Sequence, residues 1–514
     1  MTTTTTMMIG RKYWALCWLH LFLWTPCTVQ GWHSCDGGGV CPEGNTCCST
    51  TTTTTTAESF LADSQTVVCI SGHNASTGSC CEPFNGRPTG CGEGFACARD
   101  PSNGLSYCQR VNASDTSLPD QVPRYRLCSL PDDVYQQVYG LPISDDVDDD
   151  AESPQLAYMS SMGALDSSDP VDLSNHQRVQ TLVIMIHGSG RNADDYLATT
   201  NCALPVSQQD PSTSSIMIVT PWFLAPDDGP VEFYHKNTTT EPIRWSDSGP
   251  IWHTWRYGAD AINGHNFSSY DAVDVLIDRI YQDPLRFPHL QHIVVAGHSA
   301  GGQYTQRWAL LSNNPIFDAM TTSIPPQHQE MHHYQRRQRR YQSVSPEEFS
   351  RPSPVSIRIV VANPKSFCFL DNRRYFRDVF RKPHKLEIGD CTTYNEWEWG
   401  LDNTTNYLPT PYKDRAIVMA GGVDAVVQRY ATRNVIYLAG ELDVLPNGDC
   451  QAKLQGPYRR KRSEHFFASL SEIYGHGQHV HHRFVVKGVY HNHGLMFQSP
   501  EGYLAMFGSI GDPM

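Results

Sequence analysis

The sequence lacks an excess of positive charge, and it lacks an apolar run long enough to span a bilayer. Lys and Arg number 39 against 53 Asp and Glu, for a formal net charge of −14. Proteins that bind nucleic acid or anionic membranes carry basic surfaces, so this balance argues against both functions. Hydrophobic residues still make up 39% of the 514 residues, which excludes a wholly disordered chain. The apolar pattern also excludes a polytopic membrane protein.

Residues 1–31 have the features of a secretory signal peptide. A basic pair precedes a mostly apolar stretch at 13–24, and the small residues Val29 and Gly31 supply a cleavage site before Trp32. Twelve residues are too few for a membrane span, which needs about 20. We therefore expect a secreted protein, or one delivered to the lumen of a lytic compartment. Five glycosylation sequons fit export, at Asn74, Asn112, Asn237, Asn266 and Asn403.

Cysteine usage divides the mature chain into two parts. Two of the 17 cysteines lie in the predicted signal, and ten of the remaining 15 lie between Cys35 and Cys108. Such density is typical of a small module stabilised by disulfides in place of an apolar core. Because 15 is odd, at least one thiol is free or bridges to another chain. The other five cysteines are dispersed, at Cys128, Cys202, Cys368, Cys391 and Cys450.

The opening of this cysteine-rich segment contains a spaced motif. Cys35, Cys41, Cys47 and Cys48 give the pattern C-x5-C-x5-CC, with CPEGNTCC at its end. This pattern resembles the first half of a granulin repeat, and beyond Cys48 the resemblance decays. We predict a disulfide module over 32–110 that is able to bind an extracellular partner. A zinc site at the CC pairs is the cytosolic alternative, and the signal peptide argues against it.

The sequence after the cysteine-rich segment predicts an acidic linker followed by an α/β domain. Residues 111–177 are rich in Ser, Pro and Asp, although 122–130 and 155–165 could be the first strands of the next domain. From 178 to 514, apolar strand runs alternate with helical patterns, which indicates a mainly parallel central sheet. A helix is predicted at 270–280. The predicted strands are 179–186, 215–220, 292–296, 356–361, 434–439 and 484–489.

The end of the third predicted strand contains a candidate nucleophile. Gly297, His298, Ser299, Ala300 and Gly301 fit G-x-S-x-G, directly after a β-branched run and before an apolar helical pattern at 304–311. Glycines permit the sharp strand-to-helix turn that exposes a nucleophilic serine hydroxyl. The helix N-terminus behind the serine favours developing negative charge.

A second strand end predicts the oxyanion hole. His187 and Gly188 close the strand 179–186, upstream of the serine. One oxyanion donor would be the backbone N–H of Ala300, and the other would come from Ser189 or a neighbour in this turn. An ordinary glycine turn is the alternative.

Two further strand ends offer an acid and a base. Asp443 follows the strand 434–439, and His491 follows the strand 484–489. Asp443 is favoured over Glu441 and Asp424 because the acid belongs in the turn two to four residues past a strand. His491 is favoured over His493 because it comes first after its strand. We therefore expect His491 to take the proton of the serine while Asp443 holds its tautomer.

The order of nucleophile, acid and base along the chain resembles that of the α/β-hydrolase serine hydrolases. Residues 178–514 are most similar to secreted esterases and polyester depolymerases of that fold. The resemblance implies a carboxylesterase-like enzyme that cleaves small or polymeric esters through an acyl-enzyme, with no metal and no organic cofactor. Two alternatives stay open: a serine peptidase of the same fold, and a non-catalytic extracellular binding protein that uses its cysteine-rich module.

Four other features have competing interpretations. The run Arg459 to Arg462 resembles a furin-type cleavage site in an exposed loop, and we favour an uncut, solvated loop. A basic stretch at 332–341 is expected to be a solvated loop and not a docking patch. Four histidines are expected to be exposed and not metal ligands: His476, His479, His481 and His482. Four tryptophans are candidates for a pocket wall or for the core: Trp222, Trp245, Trp252 and Trp255.

Overall fold

The structure is a computed structural model. It describes residues 137–143, 154–234, 241–247, 254–263, 266–317, 354–402, 411–446 and 448–508, together with the backbone of six short strands nearer the N-terminus. The chain divides into two units, Met1–Val122 and Pro123–Met514. The predicted signal peptide, the possible strand at 122–130 and the basic stretch at 332–341 lie outside the described residues.

The six short strands of the first unit form three antiparallel pairs. In the second pair Cys47 lies opposite Cys69, and in the third Cys97 lies opposite Cys108. The granulin-like character of this segment and its boundaries stay predictions. The pairs are β1 (Trp32–Ser34) with β2 (Val40–Pro42), β3 (Asn45–Thr50) with β4 (Thr66–Ser71), and β5 (Phe95–Arg99) with β6 (Ser106–Arg110).

The second unit is built on one eight-stranded sheet. In spatial order its strands are β16 (His482–Val486), β15 (Val435–Gly440), β12 (Ser356–Ala362), β11 (His292–His298), β9 (Thr181–Ile186), β10 (Ile216–Pro221), β8 (Gln155–Ser160) and β7 (Tyr139–Pro142). Every pairing from β16 to β10 is parallel, and β8 and β7 continue the sheet in antiparallel fashion. The predicted α/β fold with a mainly parallel central sheet is therefore confirmed. A separate hairpin pairs β13 (Arg374–Phe376) with β14 (Val379–Arg381).

Helices cover both faces of this sheet. The side chains of β9 alternate between two apolar clusters: Leu182 and Ile184 face one, and Val183 and Met185 face the other. Such alternation follows from the two-residue period of a strand. The helices are α1 (Pro170–His176), α2 (Ala193–Ala203), α3 (Ser269–Tyr281), α4 (Ala300–Leu311), α5 (Lys385–Ile388), α6 (Pro411–Ala420), α7 (Val423–Tyr430), α8 (Cys450–Gln455), α9 (Arg459–Tyr474), α10 (His493–Gln498) and α11 (Pro500–Phe507). None of these helices is long and apolar enough to cross a membrane.

Most predicted elements agree with the structure to within two residues. The predicted helix at 270–280 is α3, which Ser268 caps in a reciprocal pair of hydrogen bonds with Asp271. The predicted bounds of the last strand were wrong, because the strand runs from His482 to Val486 and not over 484–489. Gly488 has a φ of 67°, so the chain has already turned by this residue. Strand β7 was not anticipated, whereas β8 lies inside the possible strand 155–165.

Candidate active site

Ser299 lies in a tight turn between β11 and α4. Its φ of 59° and ψ of −115° are rare for a residue with a side chain, as expected for a strained turn. Two glycines permit this turn. A Cβ atom on Gly297 would lie 2.4 Å from the carbonyl oxygen of Gly301, and one on Gly301 would lie 2.2 Å from that of Ile186. The helix therefore starts in direct backbone contact with β9.

The structure brings Ser299, His491 and Asp443 together in one line of hydrogen bonds. The Nε2 atom of His491 lies 2.9 Å from Oγ of Ser299, and its Nδ1 atom lies 2.7 Å from Oδ2 of Asp443. The Asp443 side chain is only 2% exposed, whereas 30% of the His491 side chain is exposed. A buried carboxylate thus holds an imidazole whose other nitrogen faces the serine hydroxyl.

The rival residues lie in other environments. His493 stacks on the ring of Tyr196 at 4.1 Å, and its Nε2 lies 3.2 Å from a carboxylate oxygen of Asp195. Glu441 accepts a hydrogen bond from the N–H of Gly488, and Asp424 lies in the first turn of α7. None of these three residues is part of the line of hydrogen bonds that joins Asp443, His491 and Ser299.

Opposing interactions act on the His491 imidazole. Burial lowers its pKa below the ordinary value of histidine, the hydrogen bond to Asp443 raises it, and the charge of Arg459 lowers it. The net direction is downward. The imidazole is thereby favoured in its neutral form, the form able to accept a proton from a hydroxyl.

The turn after β9 is held by the side chain of His187. Its Nδ1 lies 2.8 Å from the carbonyl oxygen of Gly188, and its Nε2 accepts the N–H of Phe223 at 3.1 Å. Burial lowers the pKa of His187 to about 4, so the ring is neutral and donates through Nδ1. Because a trans peptide is planar, fixing the Gly188 carbonyl fixes the N–H of Ser189 in the opposite direction.

The backbone N–H of Ala300 is the other oxyanion donor that the sequence predicts. Ala300 is the first residue of α4, so its N–H has no acceptor within the helix. Ser189 lies in an exposed turn at the end of the neighbouring strand β9. A Cβ on Gly301 would touch the carbonyl oxygens of both Ile186 and His187, so the Ala300 end of α4 lies directly against this strand end.

A buried amide that the sequence did not indicate lies at the centre of the site. Asn363 follows β12 and is 2% exposed. Its Oδ1 accepts the N–H of Gly440 at 2.8 Å, and its Nδ2 donates to the carbonyl oxygen of Tyr490 at 3.2 Å and faces Nε2 of His298 at 3.5 Å. Asn363 therefore contacts the residues directly before Ser299 and His491, and the strand end before Asp443. An asparagine directly after a predicted strand is the sequence signal that could have identified it, because asparagine tolerates a positive φ, here 43°.

The basic run does not form the exposed loop that we expected. Arg459 is the first residue of α9, and Arg462 is buried, donating from its guanidinium to the carbonyl oxygens of Gly456 and Lys365. A protease needs accessible chain that opens locally, so this segment is a poor cleavage site. The exposed-loop prediction was wrong because composition alone did not indicate the acceptors that tertiary structure supplies to these arginines.

Two of the candidate tryptophans and one of the candidate histidines are buried in the core. Trp245 and Trp255 are fully buried and pack against Phe223 at 5.3 and 5.0 Å, which makes them core residues. Trp222 is partly buried, and Trp252 lies outside the described residues. His481 is buried between Tyr437 and the Tyr430 carbonyl, so the expectation of an exposed side chain was wrong for it. Within the described ranges no group of side chains is arranged to hold a metal ion.

The dispersed cysteines differ in state. Cys391 and Cys450 form a disulfide that ties the segment before α6 to the start of α8. Cys202 is also disulfide-bonded. Cys368 is a buried free thiol, in agreement with the odd cysteine count.

Comparisons with known proteins give similarity at the level of solved structures. No protein-family model matches the chain, and no curated protein matches its sequence. The poly(3-hydroxybutyrate) depolymerase LpqC from Bordetella parapertussis matches at 16% identity and a TM-score of 0.37, over 70% of this chain and 86% of that one. Poly(aspartic acid) hydrolase-1 from Sphingomonas sp. KT-1 matches at 13% and 0.36, over 70% and 96%. Siderophore hydrolase EstB from Aspergillus nidulans matches at 12% and 0.31, over 76% and 100%.

Proposed function

We propose that the protein is a serine hydrolase of carboxyl esters. The observation that carries this proposal is the line of hydrogen bonds from Asp443 through His491 to Ser299, at 2.7 and 2.9 Å. A nucleophile within hydrogen-bond reach of a base, itself oriented by a third group, is the arrangement that activates a serine hydroxyl. The chain order and the turn at Ser299 are those of the α/β-hydrolase enzymes.

In the proposed reaction, Oγ of Ser299 attacks the ester carbonyl carbon while Nε2 of His491 accepts the hydroxyl proton. Asp443 stabilises the imidazolium and does not itself become protonated. The backbone N–H groups of Ala300 and Ser189 donate to the oxyanion of the tetrahedral intermediate. His491 then returns the proton to the leaving alcohol, which leaves an acyl-enzyme on Ser299. Water attacks this ester by the same proton transfers in reverse, releasing the acid and regenerating the serine.

Labelling by a fluorophosphonate probe tests whether Ser299 is activated. We expect the purified full-length protein to be labelled at Ser299, and we expect Ser299→Ala to abolish labelling without changing the far-UV circular dichroism spectrum. Ser212→Ala is the matched control, because Ser212 lies in an exposed turn and bonds only locally to Asp210. Absence of labelling in folded protein would favour the non-catalytic binding protein.

A substrate panel separates ester from peptide hydrolysis. We expect p-nitrophenyl esters and solid polyester films to be cleaved in a reaction that Ser299→Ala abolishes, and we expect peptide amides of matched acyl groups to be cleaved much more slowly. The triad chemistry is common to both classes. Faster cleavage of the amides would assign the protein to the serine peptidases.

We further propose that the enzyme is exported and that its N-terminal module is a disulfide-rich binding element. The disulfide between Cys391 and Cys450 supports an oxidising compartment. Expression of the full chain in a eukaryotic secretory host should yield protein in the medium with Trp32 at its N-terminus. Retention of an unprocessed chain in the cytosol would contradict export.

A further inference from the structure

The second oxygen of the Asp443 carboxylate faces an arginine. Oδ2 of Asp443 lies 2.7 Å from Nδ1 of His491, and Oδ1 lies 3.6 Å from Nη1 of Arg459. The side chain of Arg459 is 15% exposed and that of Asp443 is 2% exposed. Little water separates or screens this pair, so their electrostatic interaction is stronger than at a protein surface.

The fold holds Arg459 in this position through the start of α9. The N–H of Arg460 donates to the main-chain carbonyl of Asp443 at 3.2 Å, and the Arg460 side chain donates to the carbonyl oxygen of Glu441 at 2.8 Å. A positive charge on the first residue of a helix is disfavoured by the helix dipole. Asp443 offsets that cost, because its carboxylate supplies the opposite charge directly in front of the helix.

We propose that Arg459 is a positioning residue that shares the charge of Asp443 and thereby sets the pH range in which His491 acts as a base. This inference rests on the proposed function. With His491 as its sole partner, the carboxylate would stabilise the imidazolium with its full charge. With Arg459 on Oδ1, part of that attraction is cancelled, and His491 stays neutral at a lower pH.

Three other titratable groups face His491, namely His298, His493 and Asp443. His298, from the end of β11, has its ring centre 4.6 Å from that of His491, and burial lowers the pKa of His298 well below its ordinary value, so it is neutral. His493, from the start of α10, lies within ion-pair distance of Asp195, and it lowers the pKa of His491 less than Arg459 does. Asp443 is the facing acid. The charge of Arg459 lowers the pKa of His491, in the direction that the proposal requires.

The experiment is the pH dependence of kcat/KM for ester hydrolysis by the full-length enzyme and its variants. In Arg459→Gln we expect the acidic limb to move to higher pH, so that the ratio of activity on that limb to activity on the plateau falls roughly three- to tenfold. Arg459→Met is a second neutral variant, which keeps the aliphatic stem of the side chain. Arg459→Lys, which keeps the charge, should restore the original profile.

Lys461→Gln is the charge-matched control. Lys461 lies in the same basic run but pairs with Glu464 on the helix surface, so its neutralisation should leave the profile in place. An unshifted acidic limb in a folded, active Arg459→Gln enzyme would overturn the proposal. So would an equal shift in Lys461→Gln, or failure of both neutral variants to fold while Arg459→Lys behaves as the original. Failure of the proposed function gives a different result, namely a native protein with no Ser299-dependent turnover.

Discussion

Replacing Gly301 by alanine tests whether the contact between α4 and β9 sets the geometry of the site. The added Cβ would lie 2.2 Å from the carbonyl oxygen of Ile186 and 2.6 Å from that of His187. Both are backbone atoms, so no side chain can turn away to make room. A Cβ–oxygen contact of about 3.2 Å is the closest that packing tolerates, so helix and strand must separate by roughly 1 Å.

That separation moves Ser299 and the N–H of Ala300 away from the turn that contains Ser189. A misplacement of about 1 Å costs roughly a hundredfold in rate, so we expect Gly301→Ala to lower kcat/KM for a p-nitrophenyl ester about a hundredfold. Overpacking of this kind should also lower the free energy of unfolding in urea by about 1–3 kcal/mol.

Gly190→Ala is the comparator for this prediction. Its Cβ would meet only the end of the Asn192 side chain, at 3.2 Å, and this side chain can move. We expect this variant to keep activity within a few-fold and stability within about 0.5 kcal/mol of the original. Activity of Gly301→Ala within twofold of the original enzyme would refute the reasoning, because the two backbone contacts would then not determine the site.

Four further outcomes are expected. His491→Ala should lower turnover by several orders of magnitude with the fold intact, whereas loss of activity in His493→Ala with retention in His491→Ala would reverse the assignment of the base. Asp443→Asn should lower kcat by about 10³- to 10⁴-fold through the wrong tautomer, and full activity would give the role to another acid. Asn363→Ala should lower both the fluorophosphonate labelling rate and the urea midpoint, and an unchanged labelling rate would show that the amide does not position the site. Burial lowers the pKa of His481 to about 3, so the unfolded chain binds the extra proton. His481 should therefore contribute a fall in stability below about pH 6.5 of up to about 1.4 kcal/mol per pH unit, in addition to the falls from other buried imidazoles such as His187, and a flat urea midpoint between pH 6.5 and 4 would contradict this.

The sequence predicts those parts of the candidate site whose residue types are dictated by local backbone chemistry. The turn at Ser299 needs glycine at 297 and 301, and both glycines belong to the five-residue motif G-x-S-x-G. Apolar runs located most strands to within two residues. The positions proposed for the acid and the base follow from counting residues past the strand ends, because the carboxyl ends of parallel strands meet at one edge of a sheet.

The remaining contacts depend on segments that are far apart in the chain. Arg459 reaches Asp443 only because α9 starts beside the turn that follows β15, and by composition a basic run after Gly456 and Pro457 is typical of a loop. The burial of His481 against Tyr437 likewise depends on the pairing of β16 with β15, which no periodicity in either segment indicates. In both cases the partner of the side chain lies in a segment that is distant in the chain, so no local pattern indicates the contact.

The order of strands in the sheet explains why Asn363 is placed to organise the site. Strand β12 lies between β11, which leads to Ser299, and β15, which leads to Asp443, although β12 follows one and precedes the other by many residues in the chain. A residue directly after β12 is therefore flanked by both of these strand ends, and by the Tyr490 carbonyl of the segment that leads to His491. Three different partners must be met there by one short side chain that both donates and accepts, which an amide does and a carboxylate or an apolar group does not. Sheet order thus explains why an amide fits position 363, and that order becomes known only when the strands have been paired.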